Sequence, residues 1–255
     1  MKQRYFIELS YNGTRFHGWQ VQPNAVSVQQ MLEVTLSTMC RETVAVTGAG
    51  RTDTGVHAAY FVAHIDSEQE SLDQPDFIRK INRFLNNDVA VLRITKVGPE
   101  AHARFDAKSR TYCYFIHQQK DPFLQETSWY HPVFLHVERM NEACTALLGR
   151  HDFTSFSKLH TDVKTNNCDV FDANWTKEGH RLTFTITADR FLRNMVRAIV
   201  GTMVLVGRGK ITPEDFHLII ESRNRGLAGA SAPPEGLFLT GITYPPDVFN
   251  AVHRR

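Results

Sequence analysis

Two hydrophobic periods interleave along this chain, and their order limits the fold more than any other feature. Tyr5, Ile7 and Leu9 alternate with Phe6, Glu8 and Ser10 up to the turn pair Asn12-Gly13, which predicts an opening strand. Val56 to Ile65 and Val89 to Val97 are further strand candidates, and Thr43 to Thr47 is a short β-branched run. Arg110 to His117 and Arg181 to Thr187 alternate cleanly, the latter setting Leu182, Phe184 and Ile186 against threonines. Between these lie segments of helical period. Ser27-Val28-Gln29-Gln30 has the capping-box form and precedes Leu32, Leu36 and Met39, while Asp73-Gln74-Pro75 opens a helix facing inward through Ile78, Ile81 and Leu85. Met140 to Leu148 stops at Gly149, Phe191 to Val206 stops at Gly207, and Thr212-Pro213-Glu214-Asp215 starts another helix. Strands apolar on one side only bury one face, so the pattern predicts an α+β protein with largely antiparallel sheets flanked by helices.

At 255 residues the chain exceeds one typical domain, and 42% hydrophobic residues suffice for a core. Pro99 to Arg104 interrupts the pattern, which predicts two similar subdomains, 1–102 and 103–255. Lys plus Arg number 29 against 27 acids, which excludes a histone-like arm or an acidic tail but not a local basic surface. Cys40, Cys113, Cys144 and Cys168 are too dispersed for a zinc ribbon or a disulfide framework, and a reducing compartment is expected. Without an apolar signal core near Met1 or a run of membrane-spanning length, a cytoplasmic protein is expected.

The chemistry concentrates in Thr47-Gly48-Ala49-Gly50-Arg51-Thr52-Asp53-Thr54-Gly55-Val56-His57-Ala58. A Gly-x-Gly after a strand suggests a dinucleotide-binding turn, but Asp53 stands where that fingerprint needs its third glycine. The following residues also pattern as a strand, not as a helix opening on a pyrophosphate. Asp53 could instead cap a plain turn. Three glycines around an Arg-Thr-Asp cluster favour a ligand site, since glycines let backbone approach a ligand that the carboxylate can act on.

Gly50-Arg51-Thr52-Asp53-x-Gly55-Val56-His57-Ala58 resembles the signature of the tRNA pseudouridine synthase A family. Ordered blocks extend the resemblance over nearly the whole chain: Tyr11-Asn12-Gly13 with Phe16-His17-Gly18-Trp19-Gln20, Val28-Gln29, His102-Ala103-Arg104-Phe105, and Arg110-x-Tyr112-x-Tyr114. Gly149-x-His151-Asp152-Phe153, Phe191 to Arg197 and Ala232-Pro233 to Leu239 complete them. Two mild departures are Thr54, where the family commonly has Ala, and Asn12, where Asp is usual.

The resemblance implies isomerisation of uridine to pseudouridine in the anticodon stem-loop of tRNA (positions 38–40), with no cofactor, metal or ATP. It also implies a homodimer cradling tRNA, and two subdomains joined into one central sheet with the catalytic cleft between them. Asp53 corresponds to the catalytic carboxylate, either attacking C1′ or removing a sugar proton. Arg197 corresponds to its cationic partner. Tyr112 would lie against the target uracil and assist loss of the C5 proton, and Arg51 would take the place of the flipped base. Arg190, Arg193 and Arg197, spaced three and four apart, are expected on one side of the helix, the first two as phosphate contacts.

The spacing of His57 and His64 does not make a metal site, and His131 and His136 have no companion ligands. Cys113 and Cys144 pattern as buried hydrophobes rather than nucleophiles. Two other functions compete. One is a catalytically silent RNA-binding protein on the same scaffold, which would have no need of a carboxylate facing phosphates. The other is a nucleotide-dependent oxidoreductase, disfavoured by Asp53 at the third glycine position.

Overall fold

The computed structural model describes residues 2–158 and 165–250 and divides the chain into two units. The first comprises Met1–Lys108 and Leu239–Arg255, the second Ser109–Phe238. Where the sequence pattern grouped 103–255 together, the chain instead returns to its first unit after Phe238. The physical reason is strand pairing: the segment from Leu239 adds a strand beside one formed far earlier.

The first unit runs β1 (Gln3–Tyr11), α1 (Val28–Cys40), β2 (Thr47–Gly48), β3 (His57–Ser67), α2 (Pro75–Phe84) and β4 (Val89–Lys96). β1 pairs antiparallel with both β3 and β4, and β2 pairs with β3 opposite Ala63 and His64. Tyr5, Ile7 and Leu9 are buried, as their alternation predicts, and Tyr11 with them, but Phe6 between them is fully buried as well. Ser27 accepts a bond from the Gln30 N–H at 3.2 Å, and α1 buries Val28, Leu32, Leu36 and Cys40.

The second unit continues with β5 (Ser109–His117), β6 (Trp129–Tyr130), α3 (Val137–Cys144), β7 (Gly149–Asp152), β8 (Asn167–Glu178), β9 (Arg181–Ala188), α4 (Met195–Gly207) and α5 (Pro213–Ser222). Its ladder runs β5-β9-β8-β7, antiparallel throughout, with β6 parallel to β5. α4 is buried along most of its length, and the Trp175 indole N–H of β8 donates to the Met203 sulfur at 3.1 Å. Thr212 and Asp215 complete a reciprocal capping box at the start of α5. The chain then follows β10 (Leu237–Thr243), which lies beside β3, and ends its described part in α6 (Pro246–Asn250). The α+β class is the one expected. Among the described residues no helix is long and apolar enough to cross a membrane.

Candidate active site

Asp53 sits half-buried in the loop between β2 and β3, with Arg51 exposed beside it. Nothing about a Gly-rich loop fixes its own shape, so the fastening comes from the segment 11–19. The Tyr11 hydroxyl lies 2.9 Å from Thr52 Oγ1, and the Trp19 N–H donates to the Thr52 carbonyl at 3.2 Å. The Gly55 N–H reaches the Phe16 carbonyl at 3.3 Å, and the Gly13 N–H donates to His57 Nδ1 at 3.0 Å. Within the loop, the Val56 N–H closes a turn on the Asp53 carbonyl at 3.1 Å.

Two glycines make this approach possible. A Cβ on Gly13 would stand 2.0 Å from the Val56 carbonyl oxygen. A Cβ on Gly18, whose φ is +83°, would stand 2.4 Å from that of Thr52. Beneath the loop Trp19 stacks on Phe61 with ring centres 4.1 Å apart, and its indole lies directly against Gly48. The Tyr11-Asn12-Gly13 and Phe16-His17-Gly18-Trp19 motifs are therefore the bed on which the Asp53 loop rests. Neither departure from the family pattern disturbs it. Asn12 Oδ1 accepts from the Thr14 N–H at 3.0 Å, a bond an Asp carboxylate would also accept, and Thr54 is exposed.

Tyr112, Arg190, Arg193 and Arg197 belong to the second unit. Tyr112 and Tyr114 share a face of β5 with different fates. Tyr114 is wholly buried, donates its hydroxyl to the Pro233 carbonyl at 2.7 Å and has its pKa raised by that burial. Tyr112 is half-buried near the strand's start and meets Phe191 edge-to-face at 5.0 Å.

The three arginines do not line one helix face. α4 begins only at Met195, and Arg190 and Arg193 precede it. Asn194 has φ +66°, a left-handed conformation that cannot continue a helix backwards. The Asp189 carboxylate also diverts the chain, accepting from the Asp169 and Arg190 N–H groups at 2.8 and 2.7 Å. Arg193 is exposed, Arg190 is half-buried, and Arg197 alone of the three lies within α4.

Arg197 is held by the segment 228–233. Its Nε donates to the Ala232 carbonyl at 2.7 Å, and the Ala232 N–H donates to the Arg197 carbonyl at 2.9 Å. Gly201 allows that segment to lie on the helix, since a Cβ there would stand 1.8 Å from the Ala230 oxygen. Gly236 does the same against the Tyr114 ring. Ala232, Tyr11 and Trp19 act through contacts made across long stretches of sequence, and only their placement in motifs could have singled them out.

His57 and His64 serve the fold, their Nδ1 atoms accepting from the Gly13 and Ala103 N–H groups. Burial pushes the thiols of Cys144 and Cys168 up to about 12, which disqualifies both as thiolate nucleophiles at neutral pH. Among the described residues, no three His, Cys, Asp or Glu side chains are grouped so as to hold a metal ion.

A family model described as tRNA pseudouridine synthase matches residues 9–106 and 143–245. The tRNA pseudouridine synthase A of Parabacteroides distasonis is 54% identical over 247 residues, covering 97% of this chain and 98% of that relative. The enzyme of the same name from Bacteroides thetaiotaomicron is 55% identical over 251 residues, covering 97% and 93%. That from Neisseria meningitidis serogroup B is 38% identical over 247 residues, covering 96% and 93%.

Proposed function

Because the chain belongs to the tRNA pseudouridine synthase family, we propose that it isomerises uridine to pseudouridine in the anticodon stem-loop of tRNA, with Asp53 as the catalytic carboxylate. The observation that carries this reading is the fastening of the Asp53 loop. Two glycines without room for a Cβ and five hydrogen bonds, one of them within the loop, hold the backbone around one half-buried carboxylate. A turn that needed only a cap would not require such a bed.

The reaction breaks the bond between N1 and C1′, turns the uracil, joins C5 to C1′ and replaces the proton lost from C5 with one gained at N1. The Asp53 carboxylate either adds to C1′ as the uracil departs or removes a ribose proton to give a glycal. Arg197 is assigned to hold that carboxylate. Its Nε is committed to Ala232, so the guanidinium plane is fixed before substrate arrives. Tyr112 is assigned to the uracil, its hydroxyl placed to assist departure of the C5 proton, with Phe191 bracing the ring. Arg51, exposed at the loop, fills the stack that the extruded nucleotide leaves. Arg190 and Arg193 contact phosphates. A homodimer working in the cytoplasm, without a cofactor or metal, completes the reading.

Incubating unmodified tRNA with the protein alone, without ATP or nicotinamide, and mapping pseudouridine by chemical labelling tests it. Pseudouridine at anticodon-arm uridines is expected. Binding without conversion would instead identify a silent RNA-binding scaffold, and conversion confined to another arm would overturn the substrate assignment.

A further inference from the structure

We propose that Tyr11 is a positioning residue for the Asp53 carboxylate, acting through its hydroxyl bond to Thr52; the inference rests on the catalytic reading of Asp53. Tyr11 is the last residue of β1 and is 4% exposed. Its ring packs on the stacked Trp19–Phe61 pair, at 6.2 Å and 5.7 Å between ring centres. A phenylalanine would fill this apolar setting equally well. The tyrosine hydroxyl is therefore the part of the residue that packing does not explain, and it lies 2.9 Å from Thr52 Oγ1.

The strand is shaped for this contact. β1 pairs with β3 in one register as far as Leu9 and then shifts, so that Tyr11 stands opposite Ala58. Its pairing with β4 shifts as well, between Glu8 and Leu9. Such irregularities re-aim a side chain at a strand's end and are over-represented beside active sites.

The consequence falls on Asp53. Thr52 is gripped at its side chain by Tyr11 and at its carbonyl by the Trp19 N–H, while the Asp53 carbonyl is held by the Val56 N–H. With the backbone fixed on both sides, the Asp53 side chain starts from a defined position. Removing one hydroxyl releases the Thr52 side chain while leaving the ring stack and the backbone bonds in place. A carboxylate displaced by about 1 Å can lose on the order of 100-fold in rate with little change in binding.

The test compares Tyr11→Phe, Thr52→Val, Thr52→Ser and the Tyr11→Phe/Thr52→Val double variant. Single-turnover rates on a tRNA transcript at saturating protein are read beside tRNA dissociation constants and thermal melting. Tyr11→Phe and Thr52→Val should each slow the chemical step by roughly 10- to 100-fold. Their tRNA affinity should stay within about threefold of the parent, because neither hydroxyl is assigned to RNA. Thr52→Ser keeps the hydroxyl and should keep the rate. The double variant should be no slower than the slower single one, since both remove the same bond. A parental rate for Tyr11→Phe, or losses that multiply in the double variant, would overturn the proposal. Should Tyr11→Phe melt below the assay temperature, the Thr52→Val and Thr52→Ser pair decides the matter alone. Asp53→Asn is run alongside: an active Asp53→Asn rejects the catalytic reading itself, whereas an inactive one beside a parental Tyr11→Phe rejects only the positioning role.

Discussion

Arg197 and Ala232 exchange two hydrogen bonds, the Ala232 N–H donating to the Arg197 carbonyl and Arg197 Nε donating back to the Ala232 carbonyl. The side chain is thereby oriented from a segment that lies 35 residues further along the chain.

Arg197→Lys should fail to replace arginine in turnover. A lysine offers one nitrogen, which cannot hold Ala232 and engage a carboxylate in a fixed plane at once. Arg197→Lys and Arg197→Met should both lose at least about 100-fold in single-turnover rate, by the usual cost of a misplaced catalytic group. Arg193→Met, altering an exposed side chain outside the helix, should lower tRNA affinity and spare the chemical step. Equal single-turnover rates for Arg193→Met and Arg197→Met at saturating protein would contradict the assignment of Arg197.

Asp53→Asn should abolish pseudouridine formation while leaving tRNA binding within about tenfold, or 1.4 kcal/mol. The loop should survive the change, because the fastenings described above run through backbone groups and through Tyr11, Thr52 and His57. Asn cannot serve as an anionic nucleophile or base. Activity within a few-fold of the parent, with an unchanged melting temperature, would reduce Asp53 to a turn residue.

RNA binding should weaken with salt although the net charge is only +2. Arg190 and Arg193 lie just before α4, whereas Arg208 and Lys210 follow its far end, about 20 Å away at 1.5 Å per residue. The basic residues thus form two separate places rather than one cluster. Each phosphate neutralised should add roughly 0.7–0.9 to the slope of log affinity against log salt, and Arg193→Ala should remove one such increment. An unchanged slope in that variant would take Arg193 off the RNA-facing surface.

Acid should destabilise the first unit through His64. Burial, aided by His102 and Arg4 and opposed by Asp66 and Asp106, lowers its pKa to about 4. The unfolded chain, with an ordinary imidazole near 6.5, takes up the proton first. The stability this group confers is complete above about pH 6.5, declines as pH falls, and is lost by about pH 4. Protonation would also turn Nδ1 from the acceptor of the Ala103 N–H into a second donor facing it. Thermal melting between pH 4 and 7 should show a steeper decline for the parent than for His64→Gln. Parallel curves would exclude His64 as the source.

What could be read in the sequence followed the regularity of each element. Arg181–Ala188 alternates without a break and lies where its pattern predicts, as does the helix start at Thr212, whereas Gly149, expected as a helix stop, is the first residue of β7 and α3 already ends at Cys144. β8 carries no regular period, for a definite reason. Its buried residues are Cys168 and Val170, then Ala173 and Trp175, because Phe171 is an extra residue that shifts the phase between Val170 and Asp172. Its asparagines and aspartates weaken the signal further. The pattern starts α4 at Phe191, four residues too early, because apolar spacing continues through Phe191 and Leu192 while the left-handed Asn194 leaves no periodic trace. The motif around Asp53 was legible residue by residue, but its attachment to Tyr11 spans 41 residues and belongs to tertiary structure alone.

The return of Leu239–Thr243 to lie beside β3 also sets a schedule for synthesis. A ribosome finishes residues 1–108 and must then make all of 109–238 before that neighbour exists. At roughly 5–20 residues per second this leaves the emerging first unit incomplete for about 6–26 seconds. For that interval the part of β3 that β2 does not cover lacks its neighbour, the kind of edge on which newly made chains aggregate. Truncation anywhere before Leu239 would make the condition permanent, so premature termination should yield insoluble product rather than a working half.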